Sequence, residues 1–287
     1  MKSAYLMALL LAILITSCAE TENPFVPEEP KPENPVQIVD EPDPVDFQVT
    51  ETKEPYFTIA DKGFEALLIV LNIDTDNQIN GKVSQADVLN VKDLRHNLNG
   101  SPNLKAEFIK QKYGAMPTIK DFDDIRHFKN LQNLGVHGGK TIDLSLNANL
   151  EKIEWTGGLG FETLNLTNLD KLKIVQCYAP MMPHASGDPG EVQLKNNTSL
   201  EVFEYYGHAN SIDLSQAPNL KILIFNSWSY QDSVVNLLNT THLDKVHIGI
   251  TNRKGVKVLV SPQTMEKIKT NPSNFHIPET AIWTVRG

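Results

Sequence analysis

Cysteine is almost missing from this chain: Cys18 and Cys177 are its only two in 287 residues. Their contexts differ too much for a disulfide framework, and neither has zinc-site spacing. A basic excess is missing too. The formal charge is −9, and nine of the acids lie in residues 20–46 opposite Lys31 alone. Residues 47–287 then hold 24 basic and 26 acidic side chains. That balance lacks the positive field that drives counterion-release binding, so no nucleic-acid partner is expected. Catalytic signatures are absent as well: there is no serine elbow, phosphate-cradling glycine loop, dinucleotide fingerprint or paired-histidine helix, and the eight histidines are scattered. Catalysis has no motif to carry it, and the sequence predicts no enzyme.

No apolar run reaches the roughly 20 residues of a membrane-spanning helix. The longest, Ala4 to Ile15, follows Lys2 and leads into Ile15-Thr16-Ser17-Cys18. That order of charge, short apolar stretch and small residues is a secretory signal, 1–18, whose ending resembles a bacterial lipobox. Acylation of Cys18 would supply more than one buried chain, enough for a stable membrane anchor. Residues 19–46 follow as a stalk, with seven prolines between Pro24 and Pro44 set among glutamates. Proline favours extended backbone and like charges repel, so this segment predicts a disordered, stretched tether.

What is present is repetition. Residues 141–157 read TIDLSLNANLEKIEWTG and residues 211–226 read SIDLSQAPNLKILIFN. Apolar triplets at i, i+3, i+5 occur six times: Leu131/Leu134/Val136, Leu150/Ile153/Trp155, Leu172/Val175/Cys177, Leu200/Phe203/Tyr205, Leu220/Leu223/Phe225 and Leu243/Val246/Ile248. Their first leucines are 19, 22, 28, 20 and 23 residues apart. Units of about 20–29 residues with a Leu-x-x-Leu-x-Leu core carry the leucine-rich-repeat signature. The expected fold is therefore an α/β repeat solenoid, each turn giving one strand to a parallel sheet over residues 119–250. A helical module, 47–118, precedes it and a strand–helix closing unit, 251–287, follows. The asparagine usual three residues past the third apolar position is replaced by Gly139, Gly158 and Trp228 in three repeats, and CYAPMMPHASGDPGE stretches the third.

Side chains alternate along a strand, so the register separates an inner face from an outer one. Trp155, Cys177 and Tyr205 fall inside. Cys177 then reads as a small buried hydrophobe and not as a nucleophile served by His184. His184, Asp188 and Glu191 share a polar loop without metal-site spacing. The outer columns place Ile174, Tyr178, Val202, Tyr206, Ile222 and Ile224 in one contiguous apolar patch, with Trp228 and Tyr230 at its margin. Such a patch is a protein or glycan contact, or else a satellite core beneath the 178–191 loop with its Met181 and Met182.

Ahead of the repeats, Phe64, Leu67, Leu68 and Leu71 share a helical face that Asp61 can cap. Ser84 can cap a second helix carrying Val88, Val91 and Leu94. The connection fits a degenerate EF-hand loop. With Gly81 at the sharp turn, Asp76 is first, Gln78 third, Asn80 fifth, Lys82 seventh by its carbonyl and Asp87 last. Only two of these are carboxylates, so the loop is either a weak calcium site or a helix-loop-helix held by packing. No other cofactor is indicated.

The order of lipobox, proline-rich stalk, "aDkgFeaLL…DTDnqingKVS", "IkdFddIrhFknLqnLgVhG" and "IDLSxNxNLxxL" repeats resembles secreted leucine-rich-repeat lipoproteins of the Bacteroidetes type, and internalins distantly. The acidic Ala19-Glu20-Thr21-Glu22 is similar to the surface-export signals of such lipoproteins. The resemblance implies an outer-membrane protein, lipid-anchored through Cys18 and displayed outward, whose sheet binds a protein or glycan for adhesion or nutrient capture. The alternatives are a structural or assembly component of an envelope complex and, third, a divergent enzyme.

Overall fold

The computed structural model describes residues 47–95, 104–136, 141–156, 162–178, 190–228, 233–250 and 255–286. Chain contacts divide the protein into two units, Met1–Asp43 and Pro44–Gly287, and every described residue belongs to the second. Cys18 and the stalk lie outside the described residues. The chain enters through β1 (Tyr56–Thr58), α1 (Lys62–Val70), β2 (Lys82–Ser84), α2 (Gln85–Leu89), β3 (Asp93–Arg95) and α3 (Leu104–Tyr113). Asp61 caps α1, its Oδ1 accepting from the Phe64 N–H at 2.8 Å. Phe64, Leu67 and Leu68 pack into the main core, while Ala66 and Ile69 on the other side meet Ile109 of α3.

The second helix is shorter than expected. Ser84 stands at the N-cap position of α2 but makes no capping bond, and α2 ends at Leu89. Leu94 lies instead in β3, paired with Leu134. A three-residue apolar spacing fits a helical face and a helix-to-strand passage equally well, and here pairing with the next strand decides between them. The ten-residue α3 was not signalled at all. Its sequence, LKAEFIKQKY, spreads apolar residues without a continuous stripe.

From here the strands alternate between two sides of a parallel β-solenoid of about five turns. They are β4 (Asn133–Val136), β5 (Thr141–Asp143), β6 (Lys152–Thr156), β7 (Thr163–Asn165), β8 (Ile174–Tyr178), β9 (Glu191–Gln193), β10 (Val202–Gly207), β11 (Ser211–Asp213), β12 (Ile222–Ser227), β13 (Ser233–Leu237), β14 (Lys245–Ile250) and β15 (Val256–Val260). After α4 (Pro262–Thr270) come β16 (Phe275–His276) and β17 (Ile282–Val285). Even-numbered strands from β4 to β16 form an eight-stranded sheet with β3 at one edge. Odd-numbered strands form the opposite side, as one sheet of β5-β7-β9 and one of β11-β13-β15-β17.

The triplets set the register. Leu94, Leu134, Ile153, Val175, Phe203, Leu223, Val246 and Phe275 make one unbroken inward row, extending the sequence triplets by a rung at each end. Trp155, Cys177, Tyr205, Phe225 and Ile248 make the next. All these side chains are buried, and each large one contributes on the order of 1.5–3 kcal/mol. The small Cys177 sits between Trp155 and Tyr205, so adjacent rungs interdigitate instead of colliding.

Two expectations need correction. The repeats are stranded on both sides and contain no α-helix among the described residues, so the helices are few and lie toward the two ends of the unit. The physical reason is the IDL segment: Ile142 and Leu144 are buried around an exposed Asp143, a period of two that a helix cannot present. The closing unit also continues past its strand and helix, because β16 and β17 each add a further strand to one side of the solenoid.

Asparagines do tie successive turns together, but from positions other than the expected one. Asn147 is fully buried and donates through Nδ2 to the carbonyls of Ile125 at 2.9 Å and Phe128 at 3.1 Å. Asn197 does the same to Leu166 at 2.8 Å and Leu169 at 3.4 Å. A second, exposed row reaches back one turn: Asn130 to the Leu89 carbonyl, Asn149 to Lys129 and Asn219 to Thr198. Asn168, Asn196 and Asn239 take φ of 62°, 61° and 68°, the left-handed conformation asparagine tolerates best among residues with a side chain.

Candidate functional site

The outward side of the eight-stranded sheet follows from the same register. Ile174, Val202 and Ile222 are ladder neighbours across β8, β10 and β12, and Ile224 stands two residues on from Ile222. All four are half-buried. Tyr178 and Tyr206 are ladder neighbours whose rings stack, centroids 5.1 Å apart and planes 22° off parallel. Tyr178 is 40% exposed, which makes it the most open large apolar group of the face. Trp228 follows β12, its N–H donating to the Gly207 carbonyl at 2.9 Å and its ring 5.9 Å from that of His208. Tyr230, Met181, Met182, His184 and Asp188 lie outside the described residues.

A polar bar crosses this patch. Between the aliphatic row and the tyrosine pair lie Gln176 and Glu204, adjacent on β8 and β10. Glu204 Oε2 accepts from Gln176 Nε2 at 3.0 Å and from the Tyr178 hydroxyl at 2.7 Å. Burial first, and then this carboxylate, pushes the Tyr178 phenol up to about 12. The face thus combines an aliphatic strip, a fixed acceptor and a stacked aromatic pair. The signal was available: Gln176 and Glu204 occupy the outward column between the two apolar ones.

Glycines shape the margins. A Cβ at Gly249 would collide with Asn226 Oδ1, and one at Gly135 would lie 2.8 Å from the Arg95 side chain. Each glycine therefore lets a neighbouring polar side chain lie flat across its strand. Two shallow depressions, about 320 and 490 Å³, lie elsewhere. One is bounded by Leu243, Lys267 and Phe275 and the other by Leu238, Pro262 and Arg286.

Cys177 is a free, fully buried thiol, pushed up to about 12 by burial. A thiolate is not accessible there at neutral pH.

The carboxylate and amide side chains at the EF-hand positions are engaged by protein hydrogen bonds. Asp87 Oδ2 is engaged by Thr75, accepting from its N–H at 3.2 Å and its hydroxyl at 2.8 Å. Lys82 pairs within β2, and its ammonium lies 4.5 Å from the centre of the Tyr56 ring. Asp76, Gln78 and Asn80 do come together: Asp76 Oδ1 accepts from the Gln78 N–H at 2.8 Å, and Oδ2 from Asn80 Nδ2 at 2.9 Å and from the Thr52 hydroxyl. The acids around them are Asp74 and Glu65, which the twelve-residue register leaves out. Burial, then the Asp76 charge, pushes Asp74 up to about 8. Burial pushes Glu65 up to about 7, against the N–H groups of Asn80 and Gly81 that donate to it. Among the described residues no three His, Cys, Asp or Glu side chains converge as a ready-made metal cage. No described helix is long and apolar enough to cross a membrane.

Comparison with known proteins finds no family model that matches this chain and no curated protein significantly similar to it.

Proposed function

We propose that this protein is a lipid-anchored surface lipoprotein that binds a protein or glycan ligand on the outward side of its eight-stranded sheet. The observation that carries this reading is the outward surface of β8, β10 and β12, where Ile174, Val202, Ile222 and Ile224 flank a Glu204 acceptor and the stacked Tyr178–Tyr206 pair. Stacked, half-exposed aromatics beside a fixed polar group suit sugar faces and apolar side chains alike. The solenoid is read as leucine-rich-repeat-like with a stranded second side, a helical N-terminal module and a strand–helix C-terminal one. Cys18 supplies the anchor, 19–46 the stalk, and the bacterial outer membrane the location. The chain acts as a binder and not as a catalyst.

Two experiments test the two halves. Metabolic labelling with a fatty-acid probe should mark the wild-type chain in the membrane fraction and leave Cys18→Ala unlabelled and released; equal labelling of both removes the anchor. Residues 47–287 applied to a glycan array and to a panel of cell-surface proteins should give a saturable partner whose affinity drops about tenfold or more with Glu204→Gln and Tyr178→Ala together. A partner retained by that double variant at full affinity places the contact elsewhere.

A further inference from the structure

We propose that Asp74 and Asp76 of the loop after α1, together with Glu65 of α1, form a calcium site, one that differs from the EF-hand register and stands independently of the ligand-binding face. Asp74 is fully buried, and neither of its carboxylate oxygens makes a well-formed hydrogen bond, Asp76 being the polar group beside them. Glu65 is 1% exposed; its Oε1 accepts from the N–H groups of Asn80 at 2.9 Å and Gly81 at 2.8 Å, while its Oε2 has no partner. Three buried carboxylate oxygens, two on Asp74 and one on Glu65, thus lack a donor. Leaving such groups unmatched is among the costliest arrangements a protein interior can hold.

Asn80 joins Glu65 to Asp76, its N–H donating to Glu65 Oε1 and its Nδ2 to Asp76 Oδ2, each at 2.9 Å, and Asp74 stands two residues before Asp76, whose charge bears on both buried acids. A cation that faces Asp74 is Lys105, whose charge bears on it and whose Nζ donates to Asn77 Oδ1 at 2.7 Å. Three carboxylates against one ammonium leave a local charge that a divalent cation matches. The carboxylates do not converge as a ready-made cage in the structure, so the ion would draw them inward on binding.

The chemistry of the donors selects the ion. Every candidate ligand is a hard oxygen, and Asn80 Oδ1 and loop carbonyls stand beside the carboxylates. Calcium accepts such irregular sets of six to eight oxygens, whereas magnesium demands a compact octahedron and zinc prefers nitrogen and sulfur. The site also reaches the start of the described chain. Thr50 donates its N–H to the Asp76 carbonyl at 3.0 Å, Asn77 Nδ2 donates to the Gln48 carbonyl at 2.9 Å, and Gln78 Nε2 donates to the Thr50 carbonyl at 2.7 Å. A bound cation would therefore fasten the segment 48–52 to the loop.

The test is a calcium titration of the full chain at pH 7.5, followed by melting temperature, calorimetry and terbium luminescence. Tyr113 suits the last readout because its hydroxyl accepts from the Ile79 N–H at 3.0 Å, beside the loop. The expected dissociation constant is about 10⁻⁴–10⁻³ M, as in extracellular modules. Free calcium at about 100 times that value should raise Tm by roughly 5–10 °C, reversibly with chelator. Asp74→Asn should raise Tm in chelator yet abolish the calcium-dependent gain, and Asp87→Asn should keep it. If Asp74→Asn does not fold, Glu65→Gln serves as the second variant, with a calcium response reduced about tenfold or more. No heat, no Tm shift and no sensitised emission from the wild-type chain up to about 10 mM ion overturns the proposal. Loss of the response in Asp87→Asn but not in Asp74→Asn overturns it in favour of the twelve-residue register. An equal response to magnesium overturns the choice of calcium.

Discussion

Asn147 offers the sharpest test of how the turns are held together. Its Nδ2 donates to the Ile125 and Phe128 carbonyls at 2.9 and 3.1 Å, inside a fully buried site. Both carbonyls also accept a local main-chain N–H, from Phe128 and Leu131, so removing the amide weakens them without stripping them. Two bonds at about 1 kcal/mol each, plus about 1 kcal/mol for the void, put Asn147→Ala at roughly 2–3 kcal/mol, or about 5–10 °C in Tm. Asn147→Leu loses the same bonds but fills the space. It also removes Oδ1, a buried oxygen without a partner, and it copies the next turn, where Leu169 is fully buried at the equivalent position. Its cost should fall to about 1 kcal/mol or less. Urea unfolding at constant m-value, followed by far-UV circular dichroism and tryptophan fluorescence, measures both. The reasoning fails if Asn147→Ala costs under about 0.5 kcal/mol, or if leucine is worse than alanine.

Three further outcomes follow from the same structure. Glu65 and Asp74 titrate higher in the folded chain than in the unfolded one, at about 7 and about 8 against ordinary carboxylate values. The native state therefore binds more protons between pH ~4 and ~8, and chelated protein should lose stability as pH rises through that window. Asp74→Asn should flatten the slope, and a stability profile that rises from pH 5 to 8 by the same amount in both proteins contradicts it. Cys177 should resist thiol reagents in native buffer and react only on unfolding, while Cys177→Leu, wedged between Trp155 and Tyr205, should cost about 1–3 kcal/mol; rapid native labelling would show an open site. Ser261 Oγ accepts from the Thr264 N–H at 3.1 Å to cap α4, so Ser261→Ala should lower stability by about 1 kcal/mol in the same urea assay.

The main sheet was legible because its triplets repeat one spacing, and spacing alone fixes which side chains share a column. Ile174, Val202 and Ile222 come out adjacent for that reason. Leu94 and Phe275, the terminal rungs, were hidden because Val91 and Pro272 stand where the triplet begins with leucine, and His96 where it should end in an apolar residue. The second side was misjudged because three residues of alternation, as in Thr141–Asp143, are too few to separate strand from loop or helix. Asn147 and Asn197 were passed over because the expected tie lay at another offset, although both open an NxxL phrase of the repeats, ending at Leu150 and Leu200. At the loop after α1, sequence position ranked Asp87 above Asp74, but burial decides which acid lacks a partner. That property belongs to the packed state and has no signature in spacing.

The reading of the sheet as a binding surface rests on groups that are half-exposed and should be dispensable for folding. The double substitution Tyr206→Ser with Ile222→Ser examines this directly, by melting temperature and by affinity for whichever array or panel ligand the wild-type chain holds. The expected result is a Tm within about 2 °C of wild type and affinity reduced at least about tenfold. A large loss of stability would make the patch part of the core, and full affinity at unchanged stability would place the binding surface elsewhere.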